Sequence, residues 1–335
     1  MRCGYCEWRC EIDESKFGVC RMYHVVHGEI RERFPNRWST YAMSRMESLP
    51  FYHVYPGSRV MTLGTFGCNF SCRYCSNGYI ALRDPAEQTA GMYELTPAEL
   101  VRMALKLECF AIVFNVNEPA VSLPTLQELK VHADEAGLAM GCLTNAYTTA
   151  ESTHMLAEIF SFINIGLKGF TKEFHREYIG VADVEPILRN IRALAAARHV
   201  EVTTPIVQGV NEADIPLIAD FLAGIDREIP WHAFRLLPEH EMKDSAYPNI
   251  EAVNQALNDA RSRLDYVYFH NFVGSEWVNS ACPACGRVVI ERISLGCGGD
   301  KLDRFHCIDN RCPGCGYAIR MHGTLVERFH KEVAR

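Results

Sequence analysis

All but two of the fifteen cysteines lie in or beside three sets with metal-ligand spacing. The central set is Cys68-x3-Cys72-x2-Cys75, in the run Gly64-Thr-Phe-Gly67-Cys68-Asn-Phe-Ser-Cys72-Arg-Tyr-Cys75-Ser-Asn77. Three closely spaced thiolates suit three irons of a cubane cluster and leave the fourth iron open to a small chelating molecule. Zinc, which prefers four ligands, is the rival reading. The place just after a strand-like run, the two glycines and the aromatic before the last cysteine favour the cluster.

The front set is Cys3-x2-Cys6-x3-Cys10-x9-Cys20, with Gly18 supplying a turn. Zinc, mononuclear iron and a second iron–sulfur cluster all suit four thiolates, and spacing does not choose among them. The set is structural or relays an electron toward the central cysteines. The rear set is two knuckles, Cys282-Pro-Ala-Cys285-Gly and Cys312-Pro-Gly-Cys315-Gly. Four sulfurs there suit tetrahedral zinc or iron, with zinc the default. Cys297 and Cys307 are surplus to that set. Isolated Cys109 and Cys142 sit in apolar strand-like stretches and read as buried free thiols.

These residues need a frame. Strand-like runs occur at 59–65, 109–115, 138–143, 162–168, 199–207 and 229–237. Helical patterns lie near 96–107, 122–136, 148–159, 182–197, 211–224 and 249–263, with Thr96 and Asp183 as candidate N-caps. Six alternating units predict parallel strands joined by crossover helices. Six rather than eight predicts a partial barrel or an open sheet, with every strand exit on one rim. A short strand at 266–269 ends the region. The expected divisions are a cysteine-rich front segment (1–58), the α/β region (59–272) and a small metal-pinned module (273–335).

Polar residues gather at the strand exits: Asn115-Val-Asn117-Glu118-Pro119, Thr144-Asn145-Ala-Tyr147, Gly166-Leu-Lys168, Thr203-Thr204 and Trp231-His232-Ala-Phe-Arg235. Taken with Phe70 and Tyr74 in the central run, they resemble the radical SAM superfamily, in its activating-enzyme-like branch. The resemblance implies a partial (β/α)6 TIM-like barrel. In it Cys68, Cys72 and Cys75 would hold a [4Fe–4S] cluster whose open iron binds S-adenosylmethionine. It further implies cofactor contacts from Tyr74, Asn117, Glu118, Asn145, Lys168 and Thr204, and SAM or substrate contacts from His232 and Arg235. Asn211 reads as a cap of the next helix. Three departures stand out: the 115–119 motif lacks the usual glycines, Ala146 stands where glycine is common, and Gly166 replaces an aspartate. The front cysteines, the barrel motifs, the Val-Asn-Ser280-Ala-Cys-Pro stretch and a C-terminal zinc-ribbon-like module together resemble the radical SAM proteins named for the AmmeMemoRadiSam system.

The implied reaction is reductive cleavage of SAM to a 5′-deoxyadenosyl radical, which abstracts hydrogen from a protein or peptide residue. A one-electron reductant such as flavodoxin or ferredoxin is the implied redox partner. One rival is a radical C-methyltransferase using cobalamin, against which the lack of an evident cobalamin-binding Rossmann domain counts. Another is a non-catalytic iron–sulfur scaffold or electron carrier, which would not need polar residues at the other strand exits. With a net charge of -7 and no basic stripe, nucleic acid is a disfavoured partner. No run approaches the roughly 20 apolar residues of a membrane span, and the N-terminus lacks an apolar signal core, so the expected location is cytoplasmic.

Overall fold

Apolar runs too short to be helices must pair as strands, and in the computed structural model they do so in chain order. The structure describes residues 1–87 and 92–326; residues 327–335 of the expected C-terminal module lie outside that range. One mixed sheet of eight strands forms the centre. Strand β1 (Thr40–Arg45) lies antiparallel on β2 (Arg59–Gly64). Then follow β3 (Ala111–Phe114), β4 (Ala139–Thr144), β5 (Phe162–Gly166), β6 (His199–Ile206), β7 (Trp231–Arg235) and β8 (Val267–His270), each parallel to the one before. The edges are β1 and β8, so the architecture is a barrel-like open sheet rather than a closed barrel.

The six expected units are present, with strand ends shifted by a few residues. Two differences matter. The sheet begins at β1, inside the cysteine-rich front segment where no strand was expected, because an edge strand needs only one hydrogen-bonded neighbour and β1 is half exposed. The short run near 266–269 is a full parallel member, β8.

Crossover helices pack one face of the sheet. Thr96 starts the first of them, Pro97–Lys106, with a capping box: its side chain accepts from the Glu99 amide while Glu99 reaches back. Asp183 is not the cap of Glu185–Ala197; Val184 holds that place, although Asp183 accepts from the Glu185 amide at 3.2 Å. Asn211 holds the N-cap place of the short turn Glu212–Asp214, but its side chain makes no capping bond. Its side chain ties the loop instead, accepting from Val207 N (2.7 Å) and donating to Lys168 O and Pro205 O. Strand residues of one parity, such as Met61, Ile112, Met140, Cys142, Ile163 and Val202, join the helices in the main core. Both Cys109 and Cys142 are buried free thiols there.

The other, concave face is filled differently. Met46, Leu49, Phe51 and Val54 from the β1–β2 connection pack against Val60, Ala111, Val113 and Phe162. Behind them a three-stranded antiparallel sheet of β9 (Ser280–Ala281), β10 (Val288–Ser294) and β11 (Asp300–Phe305) shares an apolar cluster with Tyr52, Tyr266 and Tyr268. No helix of the described residues is long and apolar enough to cross a membrane.

Gly141 shows how tight the filled face is. A Cβ there would fall 2.0 Å from the ring of Phe162, which is held edge-on by Phe51 at 5.0 Å. Gly141→Ala is expected to cost about 1–3 kcal/mol by overpacking. Urea unfolding checks it; an unchanged midpoint would contradict the packing argument.

Candidate functional site

The cysteine loop leaves β2 over a glycine that cannot be replaced without movement. Gly67 has φ +72°, and a Cβ on it would meet Cys20 O at 2.6 Å. The loop then turns through Cys75 N→Cys72 O (3.1 Å) and Gly78 N→Cys75 O (3.1 Å). Neighbouring strand exits brace it. Asn117 accepts from Thr65 N (3.0 Å) and donates to Phe66 O and Gly67 O (2.9 Å each). Asn145 donates to Asn69 Oδ1 (2.7 Å) and approaches Cys68 Sγ at 3.8 Å. Glu118, buried, ties β3 to β4 by accepting from Thr144 Oγ1 (2.8 Å), Asn145 N (2.7 Å) and Ala120 N (3.1 Å). Burial pushes its carboxyl up from 4.5 against those donors.

Two backbone positions carry strain. Val116 has φ +82° and Ala146 has φ +53°, the left-handed region that glycine enters freely and a β-branched residue rarely does. These are sites where the resembled motifs carry glycine. The glycine-type backbone is kept although both residues carry a side chain.

A cavity of about 340 Å³ opens at these carboxyl ends. Cys68, Cys72, Cys75, Tyr74, Asn117, Glu118, Asn145, Lys168 and Arg235 all line it, from five strand exits. Burial pushes the Cys72 thiol up to about 12 despite the pull of Lys168, and raises Cys75 and, more strongly, Cys68. Such thiols stay protonated alone and become thiolates by exchanging the proton for a metal. Two residues of the cavity wall carry a buried polar atom with no hydrogen-bond partner among the described residues: Tyr74 Oη and Arg235 Nε. Arg235 otherwise lies over the Tyr247 ring, 4.7 Å from its centroid. Gly166 has a clear role. A Cβ there would stand 2.7 Å from Lys168 Nζ, so the bare glycine lets the lysine lie across the strand end.

Two expected residues are elsewhere. Thr204 faces the helices, fully buried, and accepts from Trp231 Nε1 at 3.0 Å; Thr203 and Pro205 line the cavity instead. His232 lies below the cavity. An odd spacing separates it from Arg235, so strand alternation puts the two on opposite faces, and Arg235 reaches the cavity because it ends β7. Asn164, Phe234 and Asn271 also line the space. The even spacing of Asn164 and Gly166 on β5 was a usable signal for the first of these.

His232 belongs to a buried polar chain inside the sheet. Glu201 accepts from the amides of Tyr52 and His53 (3.0 Å each) and meets His232 Nε2 at 2.6 Å and His199 Nε2 at 3.1 Å. His232 Nδ1 is 2.9 Å from His270 Nε2, and His270 Nδ1 is 2.9 Å from Asp300 Oδ2. Phe234, in the cavity wall, stacks on His270 at 4.4 Å. Burial works to raise Glu201, yet its imidazole partners hold it well below 4.5. A glutamate within an apolar strand was the sequence signal for this chain of groups.

At the far end, Cys282, Cys285, Cys312 and Cys315 bring their sulfurs within 4.8 Å of one another, a group able to bind a metal. Cys282–Cys315 and Cys285–Cys312 are each 3.6 Å apart. Cys297 and Cys307 are outside the group. The front cysteines Cys3, Cys6, Cys10 and Cys20 are free thiols packed against the cysteine loop; burial pushes Cys6 and Cys20 up to about 12.

Residues 62–222 match the model of the radical SAM superfamily. The chain belongs to that superfamily. Membership supports enzymatic activity of the radical SAM type. The chain is 31% identical over 324 residues to an uncharacterized protein of Methanocaldococcus jannaschii, covering 95% of each. It is 31% identical over 134 residues to the isethionate sulfite-lyase activating enzyme of Oleidesulfovibrio alaskensis, covering 39% of this chain and 40% of that protein. Among solved structures, SuiB of Streptococcus suis bound to S-adenosylmethionine aligns at 12% identity over 65% of this chain and 49% of its own, with a TM-score of 0.49.

The radical SAM sheet is pinned from within by neutral histidines, which gives stability a pH dependence. Burial pushes His270 down to about 4 and His53 to about 3, from 6.5. The unfolded chain therefore binds protons first as pH falls, so this stabilisation is complete above about pH 6.5 and is lost toward the folded values. The urea midpoint should drop steadily from pH 7 to 4.5; a flat profile would contradict it.

Proposed function

We propose that this radical SAM protein reductively cleaves S-adenosylmethionine and uses the resulting radical on a protein or peptide residue. The observation that carries the reading is that Cys68, Cys72, Cys75, Lys168 and Arg235 line one cavity at the carboxyl ends of the strands. A [4Fe–4S] cluster held by the three cysteines would supply the electron that splits the sulfonium to methionine and a 5′-deoxyadenosyl radical. The donor set fits that group: three thiols on one loop and two unpartnered polar atoms at the cavity.

The chain's own residues do the positioning. Asn117 and Asn145 fix the cysteine loop, and Glu118 locks the two strand exits that carry them. Lys168 offers an ammonium to the SAM carboxylate, a charge-assisted contact. Tyr74 and Arg235 bring the free donors, and Phe234 and Leu143 the apolar wall that keeps water out. Thr204 and His232, facing elsewhere, serve the frame. The open sheet edge suits a peptide segment, and a one-electron donor of the flavodoxin or ferredoxin type would serve as reductant. The likeness to an activating enzyme supports a macromolecular substrate, and the three cysteine sets support kinship with the AmmeMemoRadiSam-system proteins. At the rear set, thiols 3.6 Å apart suit one tetrahedral zinc or iron.

Anaerobically reconstituted protein with SAM and a strong reductant should form 5′-deoxyadenosine, and Cys72→Ala should abolish it. An intact cluster without SAM cleavage would sink the reading. Gly166→Ala tests Lys168 separately. A methyl group there displaces the ammonium, so SAM affinity should fall by about tenfold, the worth of one such contact, with thermal stability nearly unchanged. Unaltered affinity would remove Lys168 from the SAM site.

A further inference from the structure

The front cysteines are not a distant appendage. Trp8 Nε1 donates to Asn69 O at 2.7 Å, Cys6 bridges to Thr148, and Glu7 N donates to Tyr147 O at 3.3 Å. Cys20 O lies on Gly67, the residue before Cys68. The side chain of Asn69, the residue after Cys68, stands against the Cys6 thiol and is itself held by Asn145, which also approaches Cys68 Sγ. Two members of the front set thus touch the two neighbours of Cys68.

The set is also gathered on itself. Cys3 N donates to Cys10 O at 2.8 Å, Val19 N approaches Cys10 Sγ at 3.5 Å, and Gly18 leaves the gap beside that sulfur. Cys3, Cys10 and Cys20 share one apolar cluster with Ile12, Met22 and Tyr23. None is in a disulfide.

Spacing separates the kinds of site. Four sulfurs around one ion at about 2.3 Å stand about 3.8 Å apart, close to the 3.6 Å of the rear pairs. Among the described residues no other three ligand groups come within 4.8 Å of one another, neither in the front set nor in the central triplet. A set that is not gathered round one ion is open to a cubane, in which each thiolate binds a different iron.

We infer that Cys3, Cys6, Cys10 and Cys20 hold a second iron–sulfur cluster, which passes electrons to the cluster at Cys68, Cys72 and Cys75. A reduced flavodoxin- or ferredoxin-type donor loses one electron to the front cluster. The front cluster returns to its oxidised state as the central one takes that electron, and no bond is made or broken. The relay, though not the site, rests on the radical SAM reading of the central triplet.

The site is tested on a variant lacking the central ligands, Cys68→Ala/Cys72→Ala/Cys75→Ala, reconstituted anaerobically with iron and sulfide. It should retain about four irons and four sulfides per chain, one cubane's content. Adding Cys6→Ala and Cys20→Ala should remove them. Zinc in their place, or no retained iron in a variant with the circular dichroism of the parent, overturns the site. The relay is tested with Cys6→Ala/Cys20→Ala in the otherwise intact protein. Formation of 5′-deoxyadenosine driven by reduced flavodoxin should fall on the order of tenfold or more, while formation driven by dithionite, small enough to reach the central cluster, changes by less than about twofold. Equal losses with both reductants, or no loss with either, overturn the relay. A parent protein that cleaves no SAM sinks the proposed function and the relay together, whereas the iron count decides the site independently.

Discussion

Everything at the cavity depends on a carboxylate buried inside the sheet. An open sheet has a concave face that must be filled, and Glu201 sits at its centre with no exposure. An ionised carboxylate there is tolerable only when its lone pairs are taken. Two backbone amides and two imidazoles take them, and these come from three places: the β1–β2 connection, β6 itself and β7. The amides belong to Tyr52 and His53, so the β1–β2 connection is drawn in under the strands. His232 extends the chain to His270 and on to Asp300 of β11, so the rear module is attached through the same charge. Arg292 closes the arrangement from β10, donating to Tyr52 O at 2.8 Å and to Ser280 Oγ at 2.9 Å. The cavity floor is therefore supported by residues separated by more than two hundred positions in sequence.

Above that floor, the polar residues at strand exits divide their labour by whether their donors are already used. Asn117, Asn145 and Glu118 are occupied with the protein and act as braces. Tyr74 and Arg235 keep a polar atom without a partner in a mostly buried place. Leaving such atoms unsatisfied costs about 1–3 kcal/mol each; in the proposed function a bound SAM would satisfy them. Fold alone does not separate the two groups; the hydrogen-bond inventory does.

Much of this was legible in the sequence. Strand–helix alternation predicted the parallel strands, because a parallel pair needs a crossover and apolar runs bounded by turns reveal it. The central triplet and residues from four later strand exits line one cavity because every exit of a parallel sheet points the same way. What escaped did so for physical reasons. An edge strand such as Thr40–Arg45 needs no continuous apolar run. Thr203 and Thr204 are adjacent, and only the register of β6 tells which one faces inward. The partners of Glu201 come from Tyr52 to Asp300, contacts that no local pattern encodes.

The departures from the family motifs carry their own logic. Holding Val116 and Ala146 in left-handed backbone costs about 1–2 kcal/mol per residue, and such strain persists only where the surroundings over-determine it. They do here. Val116 stands between Asn115, whose side chain accepts from the Val116 amide, and Asn117, with its four contacts to the cysteine loop; Asn77 holds Val116 O at 3.0 Å. Ala146 is held by Thr144 Oγ1 on its amide at 3.0 Å and by Asn190 on its carbonyl at 2.8 Å. Glycine at either place would relax the backbone and lose contacts around it; Ala146 is wholly buried. The motif is thus better described by the conformation it imposes than by the residue that usually adopts it. Lys168 follows the same rule in reverse, since there the conformation needs the space, and glycine at 166 provides it.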